Sequence, residues 1–141
     1  MKLDNVFGIA STALNAQTIR MNTTASNLAN ANTVTSSEQE AFRGKHPVFK
    51  ALMDEEATHA GAQFVGGVKV DRIVNDSTAI RKTWDPGNPL ADKEGFVYHS
   101  NVNEMSEMVD MMDASRAYQN NVEVVNTARQ LMSRTLDIIK A

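Results

Sequence analysis

The chain has 141 residues, 17 acidic and 14 basic side chains, a formal net charge of -3 and no cysteine. That balance lacks the basic excess needed to neutralise nucleic-acid phosphates, and the absence of thiols excludes disulfides, thiolate metal sites and cysteine nucleophiles. The length is one domain's worth of chain, and no apolar run approaches the roughly 18 residues of a membrane span, so membrane insertion is not expected.

Residues 4–34 read as an amphipathic helix. Phe7, Leu14, Met21 and Leu28 recur every seven residues, the spacing of a coiled-coil seam. From Met1 to Val34, Lys2, Asp4 and Arg20 are the charged residues. A solvated helix carries more charge, so its faces are expected to be covered by protein. Asp4 or Asn5 is the expected N-cap, and the run Asn27-Leu28-Ala29-Asn30-Ala31-Asn32-Thr33 supplies a low-propensity ending. The first residues hold one lysine and no apolar stretch like that of a cleaved signal peptide. The chain is expected either to stay in the cytoplasm or to leave by a route that keeps its N-terminus.

A polar link with Ser36-Ser37-Glu38-Gln39-Glu40 leads to a short extended piece around Phe42–Phe49. The stretch from Phe64 to Val74 places β-branched residues around Gly66-Gly67, a turn or bulge signal. Another strand runs from Ile80 to Trp84. It is ended by Asp85-Pro86-Gly87-Asn88-Pro89, where Pro presets φ and Gly87 is expected to supply a positive φ. Phe96-Val97-Tyr98 is the next, and together these short strands are expected to form one small sheet. Trp84 is read as the anchor of that sheet or as an interface hot spot.

Residues 102–140 read as the second helix, capped by Asn101 or Asn103 and with Glu104, Glu107 and Asp110 complementing its N-terminal dipole. Met111, Tyr118, Val125, Met132 and Ile139 again recur every seven residues. The fold class is α+β. Its expected division is an N-terminal helix over 1–35 paired with a C-terminal helix over 101–141, and a small β-rich domain over 36–100.

Catalytic chemistry is not evident. His46, His59 and His99 share no metal-ligand spacing, and Met105, Met108, Met111 and Met112 read as adaptable packing rather than a soft-metal stripe. Asp54-Glu55-Glu56 reads as a solvated charge run. No phosphate-binding glycine motif occurs, and no nucleophile, base and orienting residue form a set. No catalytic, cofactor-binding or metal site is expected, and the chain is not read as an enzyme.

The Asn27–Thr33 motif resembles the (A/S)-x-N-(I/L)-A-N-x-N-T stretch near the N-terminus of bacterial flagellar axial proteins, the rod and hook subunits. The run from Glu107 to Ala128, which includes Arg116, Tyr118 and Val122, resembles their shared terminal helix. Residues 85–103 are similar to the short proximal-rod subunits within that family. The motif continues here as Val34-Thr35-Ser36 without the Pro-Gly often found in the family, and His99-Ser100 stands in place of an aromatic-proline approach to Asn101-Val102-Asn103.

The resemblance implies a non-enzymatic subunit whose terminal helices pack into a hollow helical tube, with the central domain outside. Such a tube would transmit torque and let later subunits pass. The implied subunit interface is Phe7, Leu14, Met21, Asn27, Leu28, Asn30, Asn32, Trp84, Met111, Arg116, Tyr118, Val122, Val125, Met132, Leu136 and Ile139. The implied partners are other copies of the chain, other rod subunits and the flagellar type III export apparatus, with the surrounding basal-body rings and rod cap outside the tube. The implied location is the periplasmic part of the flagellar basal body, reached without a cleaved signal peptide. A soluble helical binding module, such as a secretion chaperone or adaptor holding a client helix, is the alternative reading of the same helix pair.

Overall fold

A computed structural model describes residues 3–52 and 66–140. In chain order these form α1 (Leu3–Asn30), β1 (Val34–Thr35), β2 (Lys45–Ala51), β3 (Val68–Asn75), β4 (Lys82–Trp84), β5 (Phe96–His99) and α2 (Glu104–Lys140). The α+β class is as expected. The Asp54–Glu56 run, His59 and the residues Phe64 and Val65 lie outside the described residues.

The strands make two sheets where one was expected: a three-stranded sheet in the order β1-β5-β4 and a two-stranded pair of β2 with β3. One cause is β1, two residues that read as the end of the first helical segment, which stops at Asn30 instead. Val34 pairs with His99 and Thr35 with Tyr98, so β5 becomes the central strand, and on its other side β4 pairs antiparallel with Trp84 opposite Phe96. The Asp76 N–H donates to the Gly44 carbonyl at 2.6 Å and the Leu52 N–H to the Gly67 carbonyl at 3.0 Å. This register makes β2 and β3 antiparallel.

The turn after Trp84 is closed by the Asn88 N–H on the Asp85 carbonyl at 3.2 Å. Gly87 does not carry a positive φ; Gly95 does, at 83°. A Pro at the second position suits a turn with ordinary φ values. The left-handed residue falls at the return into β5 instead, where a Cβ on Gly95 would stand 3.2 Å from Pro86 Cβ.

Two compact units divide the residues: Met1–Ile19 with Val48–Arg72 and Asp113–Ala141, and Arg20–Pro47 with Ile73–Met112. In the first, the buried positions among the described residues are Ala10, Ala16, Ala114 and Ala128. Gly67, at φ 127°, passes so close to α1 that an added Cβ would meet Thr12 Oγ1 at 2.7 Å. That hydroxyl donates to the Ile9 carbonyl at 2.7 Å and accepts from the Val68 N–H at 3.2 Å. In the second, Val97, Ala31 and Ala41 are buried with Thr23, Thr24, Asn27, Ser100 and Glu107.

Alanine removes little apolar area from water, so this core is thin and its polar members must be hydrogen-bonded. The helical repeat has the expected period but a different row. On α2, Glu107, Ala114 and Ala128 are buried in steps of seven or fourteen, with Asn121 half-buried between them. The adjacent row of Met111, Tyr118 and Val125 is half-buried. Small residues let two helices approach; the large ones are left at the margins.

Candidate assembly surface

The second unit is held by asparagine clamps. Asn27, on α1, has no exposed surface. Its Oδ1 accepts the Lys45 N–H at 2.9 Å and its Nδ2 donates to the Lys45 carbonyl at 2.8 Å, as a strand neighbour would. Nδ2 also donates to Glu107 Oε1 at 3.0 Å. One side chain thus joins α1, the start of β2 and the first turn of α2, where the helix dipole favours a carboxylate. The other Glu107 oxygen is buried without a partner.

The rest of the motif finishes the helix. Asn30 Nδ2 donates to the Ser26 carbonyl at 2.8 Å, and the Asn30 carbonyl accepts both the N–H and the hydroxyl of Thr33 at 3.2 and 2.8 Å. Asn32 Nδ2 donates to Glu104 Oε1. The N-cap expectation for α1 fails: the helix begins at Leu3, so Asp4 and Asn5 lie inside it.

Asn101 clamps from the other side. Its Oδ1 accepts the Gly44 N–H at 2.8 Å, and its Nδ2 donates to the carbonyls of Asp76 and Thr78 at 3.3 and 3.0 Å. Arg43 donates to the Thr78 carbonyl as well, at 3.2 Å. Asp76 Oδ1 accepts the Thr78 hydroxyl at 2.7 Å and its N–H at 2.8 Å. The hydroxyl, then the N–H, with smaller help from His46 and Arg43, holds this carboxyl below the usual carboxylate range. Two residues on, Asn103 is the cap of α2, its Oδ1 accepting the Ser106 N–H at 3.1 Å. The sequence left the cap open between Asn101 and Asn103; the two divide the work.

Asp92 organises the β4–β5 connection. Its Oδ1 accepts the N–H groups of Phe96 and Glu94, both at 2.9 Å, and its Oδ2 the Tyr98 hydroxyl at 3.3 Å. The Phe96 N–H contributes most to lowering its pKa, followed by Glu94, Tyr98 and the charge of Lys82. The Lys82 ammonium sits 3.9 Å from the Phe96 ring centre. Trp84 is 65% exposed on this edge strand, so Val97 rather than Trp84 anchors the sheet.

The second helix turns large apolar side chains outward. Met105, Met108, Val109, Met112, Val124, Leu131, Met132, Leu136 and Ile138 of α2 are exposed. Of the positions singled out from sequence, Phe7, Leu14, Met21, Leu28, Met111, Tyr118, Val122 and Val125 are half-buried, and Arg116 is exposed. The Ile139 side chain lies outside the described residues. Among the described residues, no three His, Asp or Glu side chains are grouped to hold a metal, and no helix is long and apolar enough to cross a membrane.

Residues 7–35 match the family described as flagella basal body rod protein, and residues 93–138 the one described as flagellar basal body rod FlgEFG protein C-terminal. The flagellar basal-body rod protein FlgC of Yersinia enterocolitica is 46% identical over 98% of both chains. The chain belongs to the FlgC family. FlgC of Salmonella typhimurium is 44% identical and that of Buchnera aphidicola from Baizongia pistaciae 31% identical, each over 98% of both chains. The two matched spans contain most of α1 with β1, and β5 with most of α2. They therefore hold Asn27, Asn32, Asn101 and Asn103, the clamps and the cap of the second unit.

Proposed function

We infer that this chain is a structural subunit of the bacterial flagellar basal-body rod, assembling with other rod components. The observation that carries the reading is the run of exposed large apolar side chains along α2 in a FlgC-family chain. Clustered exposed apolar surface marks interaction faces, and these residues form two such clusters, over 105–112 and 124–138.

In this reading the terminal helices, residues 1–35 and 101–141, form the inner layer of a hollow tube, and residues 36–100 face outward. The composition of α1 supports its inner place: Asp4 and Arg20 are its charged residues, whereas Lys45, Asp71, Arg72, Arg81 and Lys82 are exposed around the strands. Heterologous contacts that do not close into a ring extend such a tube, which transmits torque and lets exported subunits through. Phe7, Leu14, Met21, Leu28, Met111, Arg116, Tyr118, Val122, Val125, Met132, Leu136 and Ile139 meet neighbouring subunits, and Trp84 makes an outer contact. Asn27, Asn30 and Asn32 act one step back, by fixing the shape that is packed. The subunit reaches the periplasmic basal body through the flagellar type III export apparatus and meets the surrounding rings and rod cap there.

The test is complementation of a strain lacking the gene, followed by basal-body purification. The expected result is restored swimming and the chain in the purified rods. Recovery only as a soluble complex saturating at fixed stoichiometry would overturn the reading in favour of an adaptor.

A further inference from the structure

Two surfaces of α2 repeat one spacing. Met105, Met108, Val109 and Met112 stand at i, i+3, i+4 and i+7, each about half or more exposed, and form one open stripe. Nineteen residues along the same helix, Val124, Thr127, Ala128 and Leu131 have the same spacing. With Val6 they line an apolar groove of about 300 Å³. One surface protrudes and is built mostly of flexible methionines that fill irregular space; the other is recessed and holds the small residues Thr127 and Ala128.

We propose that the methionine stripe of one copy lies in the Val124–Leu131 groove of a second copy, the two α2 helices running parallel and shifted by 19 residues. The proposal rests on the rod-subunit reading and names the contact that extends the rod. At 1.5 Å per residue the shift is about 28 Å along the helix. Because the two patches differ, the contact is heterologous and leaves a free stripe and a free groove at the ends.

The charges select this register and this occupant. The exposed acids beside the stripe are Glu104 and Asp113, and the exposed bases of the groove half include Arg116 and Arg134. At about 100° per residue, Asp113 lies roughly a quarter turn to one side of the stripe. The shift brings it level with position 132, and Arg134 lies on the flank of the groove that faces it. Glu123, the acid at the rim of the groove, comes level with Glu104, but the two lie on opposite flanks of the contact, and the flank that Glu123 faces carries Ser106 two residues further on. A second copy at this offset thus seats the stripe in the groove and sets Asp113 beside Arg134 on one flank, with Glu104 and Glu123 kept on opposite flanks.

The natural chain has no cysteine, so a pair can be placed without background. The full-length chain carrying Asp113→Cys and Arg134→Cys is expressed in cells lacking the natural gene, and purified basal bodies are treated with a short bis-maleimide. The expected product is a ladder of multimers of this chain. Asp113→Arg alone is expected to lower the yield of rods about tenfold or more, and adding Arg134→Asp to bring it back to within about twofold, since rejoining a charge pair at a desolvated contact restores what truncation removes. Basal bodies that contain the cysteine variant but give no ladder would overturn the register while leaving the rod reading intact, as would a cross-link to a chain of different mass. Failure of the charge exchange to rescue would do the same. Absence of the wild-type chain from purified basal bodies would overturn both.

Discussion

Asn27→Asp changes one atom of the clamp and should break it. The Lys45 N–H keeps its acceptor, but the two donations by Nδ2 become oxygen–oxygen contacts at 2.8 Å to the Lys45 carbonyl and 3.0 Å to Glu107 Oε1. Two charges at that second distance repel by about 5 kcal/mol at an effective dielectric of about 20. The other Glu107 oxygen has no donor to compensate. The folded protein escapes most of this by binding a proton at the new pair. At about pH 7, protonating a carboxyl with an ordinary pKa near 4 costs about 4 kcal/mol at 1.36 kcal/mol per unit. We therefore expect Asn27→Asp to lose about 4 kcal/mol at that pH. The sign of its pH dependence follows: the introduced carboxylate has a raised pKa in the folded state, so the folded state binds more protons and is favoured by acid. The deficit relative to wild type should shrink by about 1.4 kcal/mol for each unit that pH falls between about 7 and 5. Urea unfolding followed by far-UV circular dichroism measures both. A variant as stable as wild type at about pH 7, or a deficit that does not change with pH, would refute the clamp.

Gly67→Ala is expected to destabilise by about 1–3 kcal/mol, since it combines positive φ with a clash at Thr12 Oγ1, and Thr12→Ala in the same chain should recover part of that loss; equal unfolding midpoints for wild type and Gly67→Ala would contradict the close approach. Asp92 has a depressed pKa in the folded state, so its contribution is complete above the ordinary aspartate range and is lost as pH falls through the folded value. Asp92→Asn should therefore flatten the acid limb of a titration followed by Trp84 fluorescence. Asn103→Ala removes the cap of α2 and should cost about 1 kcal/mol in thermal unfolding. Trp84→Ala, at an exposed edge, should leave unfolding within about 0.5 kcal/mol of wild type while lowering the yield of basal bodies containing the chain.

Both helices and the main strands were legible from their periodicity, although the cap of α1 and the positive φ at Gly87 were misplaced. Asn103 was visible as a cap candidate, since Asn before an acidic first turn has few other uses. The buried rows were not: Ala10, Ala16, Ala114 and Ala128 carry almost no hydrophobic signal, so the heptads of Phe, Leu, Met and Val drew the seam to rows that the structure leaves half-buried. β1 was missed because two residues show no alternation, and without it the strands read as one sheet. The Asn-rich motif was recognisable as a motif, but its chemistry was not. Asn27 acts through the backbone of Lys45, and no spacing in a single sequence announces that partner. Trp84 misled as an anchor because aromatic type suggests burial, whereas its place on an edge strand depends on the order β1-β5-β4.

The central claim is that the apolar face of α2 is covered in the assembled rod. Oxidative footprinting read by mass spectrometry on Met105, Met108 and Met112 tests it directly, comparing the dilute free chain with purified basal bodies. The account predicts ready oxidation of all three in the free chain and strong protection in the basal body. Equal oxidation of these methionines in the two states would contradict it.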